Sequence, residues 1–156
     1  MNSIVKYIAY NAWANVQFAD LLSKLPDEVL DAPVKSSFDT IRKTVFHLLD
    51  AEIIWLERLH DRSVEGWPSE NMQPALLFEE LKKSAEAWVT WSEKQDAESL
   101  NKKCEYKNMK GDLFHTAVGD IAMHCMNHAT FHRGQLITML RELNAESRLW
   151  DVLVDP

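Results

Sequence analysis

Glycine and proline are scarce in this chain. Four glycines and five prolines among 156 residues leave too few tight turns for a sandwich or barrel of many short strands, so long uninterrupted helices are expected. Cysteine is equally sparse. Cys104 and Cys125 make neither a disulfide framework nor a CxxC pair, and both are expected as free thiols in a reducing compartment. The sequence has no long hydrophobic run: its start, MNSIVKYIAYNAWANVQFAD, alternates apolar residues with Lys, Asn, Gln and Asp, which suits neither a signal peptide nor a membrane span. A cytoplasmic location with no membrane partner follows as the expectation. Positive charge is also short, with 17 Lys and Arg against 24 Asp and Glu and a net charge of -7, so a surface that tracks phosphates is not expected and direct nucleic-acid binding is set aside. No HExxH motif, Ser/His/Asp arrangement or glycine-rich phosphate loop occurs.

What is present is apolar residue at helical spacing. With 46% hydrophobic residues the chain can bury one substantial core, and residues 1–156 are read as a single domain. Ile4, Ile8, Trp13, Phe18, Leu21, Leu22 and Leu25 predict a first helix from Ser3 to Leu25, ended by Pro26. Ser36 and Asp39 resemble a capping box at the start of a second helix that runs to about His60. A loop carrying Gly66 and Pro68, with Trp67 tucked beneath it, leads to a third helix over about Pro74 to Ala97. Its tryptophans, Trp88 and Trp91, are expected in the core. Residues 98–113 break the pattern and predict an extended excursion or loose hairpin. A fourth helix is expected from about His115 to Leu143, and four long helices make a bundle the natural architecture.

The chemistry concentrates on that last helix. His124, His128 and His132 recur every four residues, so successive members overlie one another on one face. All three cannot grip one ion, because the outer pair stands about 12 Å apart along the axis whereas Zn–N bonds are about 2.0–2.1 Å. A third ligand must come from elsewhere. On the second helix His47 borders the apolar arc with Ala51 and Ile54, which makes it the candidate. Histidines on an apolar arc are commonly satisfied core residues, yet three that face inward cost burial energy unless each ring nitrogen finds a partner. The expected metal site is therefore His47, His128 and His132, with His124 beside it, Glu52 able to reach it and Arg133 able to anchor an anionic substrate or, more simply, to form a helix-surface salt bridge. Cys125 is expected as inert core, and His60 and His115 as exposed.

Three stretches then resemble one family. Asn127-His128-Ala129-Thr130-Phe131-His132-Arg133-Gly134-Gln135 is similar to the NHxxxHRGQ signature of the DinB/YfiT-like superfamily. Tyr10-Asn11-Ala12-Trp13-Ala14-Asn15 resembles its YNxWAN motif, and the segment from Ser37 to His47 resembles its SFxSIxxTxxH segment. The resemblance covers about residues 1–143 and implies an all-α, up-down-down-up four-helix bundle, frequent homodimerisation and metal ligation by His47, His128 and His132. It implies a divalent ion, nickel or zinc first and iron or manganese as further candidates. Characterised relatives include metal-dependent transferases that use a low-molecular-weight thiol, which makes thiol S-transfer to a small-molecule substrate the leading expectation. Hydrolysis through metal-bound water and a non-catalytic metal-binding stress-response role are the alternatives. The ending departs from the family pattern, with Asn144-Ala145-Glu146-Ser147 where a glycine-containing turn is usual.

Overall fold

A computed structural model of the chain describes residues 3–62 and 64–145. Its order is α1 (Ser3–Leu22), α2 (Asp27–Leu30), α3 (Ile41–Leu59), 3-10 turns at Pro68–Asn71 and Pro74–Leu76, α4 (Leu77–Ser92), α5 (Ala97–Asn101), β1 (Lys103–Lys107), β2 (Leu113–Ala117) and α6 (Val118–Glu142). The fold is thus mostly helical, with four long helices. No described helix is long and apolar enough to cross a membrane.

Several boundaries differ from those expected. The second long helix starts four residues later than the Ser36–Asp39 pattern suggests. Its N-cap is Thr40, whose side chain accepts a hydrogen bond from the Lys43 amide at 3.1 Å. Ser36 to Asp39 form bends, and Asp39 instead reaches the Lys43 ammonium at 2.7 Å. His115 lies in β2 rather than on the last helix, because residues 103–107 and 113–117 pair as an antiparallel hairpin with Tyr106 opposite Phe114. The turn between them is built locally: Asn108 Oδ1 accepts from the amides of Lys110 and Asp112, and Gly111 takes φ +88°, a conformation open to glycine.

Two helix ends use non-glycine residues in the left-handed region. Asn144, at φ +50°, ends α6: its amide reaches the Arg141 carbonyl at 3.0 Å and the next amide, of Ala145, reaches Leu140 at 2.9 Å. That is a Schellman closure, and asparagine tolerates the conformation. Asn144 therefore does the work of the expected glycine turn, while residues 146–156 of that ending lie outside the described residues.

The long helices pack in a ring, α1 against α4 and α6, and α3 against the same two. Pairings of Thr44 with Met139, His47 with His128 and Trp55 with His124 run in opposite sequence directions, so α3 and α6 are antiparallel. The apolar interior forms two clusters. One holds Phe18, Leu22, Leu48, Leu49, Leu81 and Leu136, and the other Ile8, Leu56, Trp88, Trp91, Cys125 and Met126. Truncating one of these side chains, Leu136→Ala for instance, costs about 2–5 kcal/mol by the usual sum of lost transfer energy and cavity. Between the clusters in sequence along α1, α3 and α4 stand the buried polar residues Asn11 and Asn15, Glu52 and Ser84, and Arg133 of α6 joins them.

Candidate metal centre

α3 and α6 bring three imidazoles to one point. His47 Nε2 lies 3.0 Å from His128 Nε2, which lies 3.0 Å from His132 Nε2. The possible ligand atoms of the three residues all fall within 4.8 Å of one another. The spacing of four residues along α6 supplies two of them from adjacent turns, and antiparallel packing delivers the third. His132 is almost fully buried, with the other two half-buried.

The protonation chemistry favours ligation. Burial, with repulsion from His132 second, lowers the pKa of His47 to about 4, and burial followed by the neighbouring imidazoles does the same for His128. Burial also lowers that of His132, partly opposed by its hydrogen bond to Gln135. All three rings are therefore neutral at pH 7, each with one lone pair. His132 Nδ1 lies 2.7 Å from Gln135 Oε1, an acceptor, so Nδ1 carries the proton and Nε2 presents its lone pair to the other histidines. Gln135 is held in turn, donating through Nε2 to Ser37 Oγ at 2.9 Å.

Three converging Nε2 atoms cannot satisfy one another with a single bridging proton. A cation can satisfy all of them. Two ligand nitrogens about 2.0–2.1 Å from one ion, at angles between a right angle and the tetrahedral value, lie about 2.9–3.4 Å apart, and the observed 3.0 Å falls in that range. The residues fit a divalent ion of the imidazole-preferring kind and can hold one.

Aromatic rings surround the trio. Phe38 stacks on His47 with centroids 4.3 Å apart, Phe131 lies 5.2 Å from His132, and Trp67 lies 5.9 Å from His47. Trp67 is not tucked beneath its loop; it is 43% exposed and Phe131 61% exposed, so these rings border an approach rather than a core. Trp67 is positioned by the next turn, where the Ser69 amide and hydroxyl bond the two oxygens of Asp50 at 2.7 and 2.6 Å. Burial raises the Asp50 pKa against those two bonds. A cavity of ≈ 440 Å³ lies here, lined by Phe38, Phe46, His47, Asp50, Trp67 and Glu70 among others.

The other candidates go elsewhere. His124 is exposed and packs its ring 5.3 Å from Trp55, with His128 6.5 Å away, outside the ligand cluster. Glu52 is fully buried, and both carboxylate oxygens are taken: Oε1 by Asn11 and Asn15 at 2.9 and 2.6 Å, Oε2 by Ser84 at 3.2 Å. Arg133 makes no surface salt bridge. It is buried and donates through Nη1 to the same two asparagines, at 2.5 and 2.7 Å, and through Nη2 to Thr130 at 3.0 Å. The asparagine amides thus stand between a buried carboxylate and a buried guanidinium, each amide serving both. Desolvation raises the Glu52 pKa and lowers that of Arg133, and their mutual attraction opposes both shifts. Cys125 is buried with its thiol pKa raised well above normal by burial, so it is an inert thiol. His60 and His115 are exposed.

Sequence reasoning missed Gln135, Phe38 and the Asp50–Ser69 clasp. Gln135 had a signal, since it stands three residues after His132 and therefore on the same helical face. The asparagine pair had one as well: Asn11 and Asn15 are four apart on the arc of Ile8, Ala12 and Phe18, and buried amides require partners.

The comparisons with known proteins agree with this architecture. A sequence model of the DinB family matches residues 1–156. Protein DinB of Bacillus subtilis (strain 168) is 27% identical over 144 residues, which cover 88% of this chain and 84% of that protein. The crystal structure of a DinB-like protein from Bacillus cereus ATCC 10987 matches with a TM-score of 0.69 at 16% identity, covering 90% of this chain and 91% of that one. At that identity the likeness concerns the fold alone. Because the family match spans the whole of residues 1–156, this chain belongs to the DinB family.

Proposed function

We propose that the protein is a metal-dependent S-transferase that joins a low-molecular-weight thiol to a small electrophile. The observation that carries the reading is the convergence of three neutral imidazole nitrogens, at 3.0 Å between neighbours, beside a cavity walled by aromatic rings. His47, His128 and His132 would hold the ion, and nickel or zinc suits an all-imidazole set. A divalent ion there supplies Lewis acidity and keeps a thiol in its thiolate form at neutral pH.

The chain's own residues do the rest. Gln135 fixes the His132 tautomer, so that ring is oriented before any ligand arrives. Phe38, Trp67 and Phe131 offer apolar faces on the approach side, where they exclude water and receive an apolar electrophile. In the overall reaction the thiol loses its proton, a sulfur–carbon bond forms, and the electrophile's leaving group departs with its electron pair. The hydrolase alternative lacks its expected helper, because Glu52 spends both oxygens on Asn11, Asn15 and Ser84. A purely structural ion fits less well with the exposed aromatic rim. Homodimerisation belongs to the same proposal.

The test is conjugation of a thiol to 1-chloro-2,4-dinitrobenzene by metal-loaded protein. Turnover is expected to require the metal and to vanish in His128→Ala and His132→Ala. Equal rates with and without metal refute the proposal, and ester hydrolysis in the absence of any thiol would favour the hydrolase.

A further inference from the structure

Away from the trio, the interior holds a guanidinium whose hydrogen bonds are unmade. Arg58, near the end of α3, is only 9% exposed. Its Cζ sits 4.5 Å from the Trp55 ring centroid and 4.9 Å from that of Tyr106, a ring delivered by β1. The two rings stand 78° to one another with centroids 5.2 Å apart, so both pack on one side of the guanidinium. Neither ring supplies a lone-pair acceptor for its five N–H bonds. Among the described residues no side-chain or backbone acceptor bonds them and no carboxylate pairs with the charge. Nearby acids are engaged otherwise, Glu57 with Arg62 and Glu105 with His115. Desolvation accordingly lowers the Arg58 pKa, with only Tyr106 and Cys104 opposing it.

A buried, unpaired charge is costly, and its natural complement is a planar anion that accepts two parallel N–H bonds. The position of the residue says which molecule would bring one. Rings connect Arg58 to the trio: Trp55 lies 5.3 Å from His124, and His124 6.5 Å from His128. His124 is exposed, so this path runs along the surface between α3 and α6. Eleven residues of α3 separate His47 from Arg58, about 16 Å along the axis, and a side chain that leans back over Trp55 shortens the gap toward about 12 Å. An extended small molecule spans that distance.

We propose that Arg58 binds a carboxylate on the far arm of the molecule whose sulfur sits at the histidine trio, so the thiol used is an elongated acidic one. The identity of the near end rests on the S-transferase reading; the anion edge at Arg58 rests on its own geometry. Trp55 and Tyr106 pack against the guanidinium, and His124 lies under the middle of the ligand. This gives His124 a role as a contact along the path.

The probe is the full chain loaded with nickel and titrated with glutathione, which carries carboxylates, and with cysteamine, a thiol that carries none. Thiolate-to-nickel charge-transfer absorption reports the near end. Arg58→Met is expected to weaken glutathione at least tenfold and to leave cysteamine unchanged. Arg58→Lys, which keeps the charge without the planar fork, is expected to fall between. Equal metal content and thermal midpoints identify folded variants. If Arg58→Met and Arg58→Lys bind both thiols as the native protein does, or lose both equally, the inference is overturned. If neither thiol gives charge-transfer absorption in the native protein, the S-transferase reading fails, and Trp55 fluorescence with succinate decides the anion edge separately. A response in the native chain that is absent in Arg58→Met upholds it, and no response in either overturns it.

Discussion

Two polar groups of residues occupy the interior of this bundle, and they are opposites. Around Glu52 and Arg133 both carboxylate oxygens and both terminal guanidinium nitrogens are engaged: two asparagines bridge the charges, Ser84 meets the carboxylate and Thr130 the guanidinium. Around His47, His128 and His132 the lone pairs face one another. The first cluster is closed and sits between two apolar clusters, where it ties α1, α3, α4 and α6 in one register. The second is open, rimmed by exposed aromatic rings, and could hold a cation. Satisfaction, rather than burial or charge, separates the residue that holds the fold from the residue that awaits a ligand.

The comparison breaks first at Arg133. Removing it by Arg133→Met leaves Glu52 buried without its countercharge, and a cost of about 3–5 kcal/mol is expected in urea unfolding. The metal stoichiometry of whatever protein remains folded should be unchanged, because the Arg133 side chain bonds Asn11, Asn15 and Thr130 and no histidine of the trio. A smaller effect belongs to Gln135. Gln135→Leu frees the His132 tautomer and should weaken metal binding by about 10–100-fold with little change in the stability of the metal-free protein.

Acid offers a subtler separation. His47 and His128 have folded pKa values of about 4 against an ordinary 6.5, so between those values the unfolded chain holds more protons than the folded one. Their contribution therefore makes the metal-free protein less stable as pH falls from about 6.5 toward about 4, and is absent above pH 7. Asp50 and Glu52, whose pKa values are raised, act in the opposite sense. The histidine part is isolated by difference: the gap in thermal midpoint between native protein and His128→Ala should change across that window and stay flat above it. Smallest of all is Gly134, which follows His132 and Arg133 on α6. Nothing lies within 4 Å of a Cβ placed there, so Gly134→Ala should stabilise by about 0.4–1 kcal/mol and leave metal affinity alone.

Much of this was legible before any coordinates. The histidine spacing on α6 required a partner from another helix, and the apolar arc of α3 pointed to His47; the structure brings those three together. The hairpin was visible as a break in helical periodicity over residues 98–113, although its second strand, residues 113–117, takes the place of the expected helix start at His115. What stayed hidden has a common cause. A helical wheel ranks faces by hydrophobicity, and so it sends charged residues outward. Glu52 and Arg133 turn inward because Asn11 and Asn15, on a helix distant in sequence, compensate them. The α3 start was misplaced for a similar reason: Ser36 and Asp39 carry the right chemical groups, but Thr40 has the extended backbone, φ -143° and ψ 157°, that lets its hydroxyl meet Lys43. Trp67 reads as tucked beneath its loop in one dimension and proves to be rim in three, whereas Trp88 and Trp91 are core as expected.

The central claim is that His47, His128 and His132 act as one metal site, and equilibrium titration of metal-free protein with nickel or zinc tests it most directly. One ion per chain is expected, raising the thermal midpoint. His47→Ala, His128→Ala and His132→Ala should each abolish high-affinity binding, while His124→Ala retains it. Binding that survives His128→Ala, or that is lost in His124→Ala, would contradict the account.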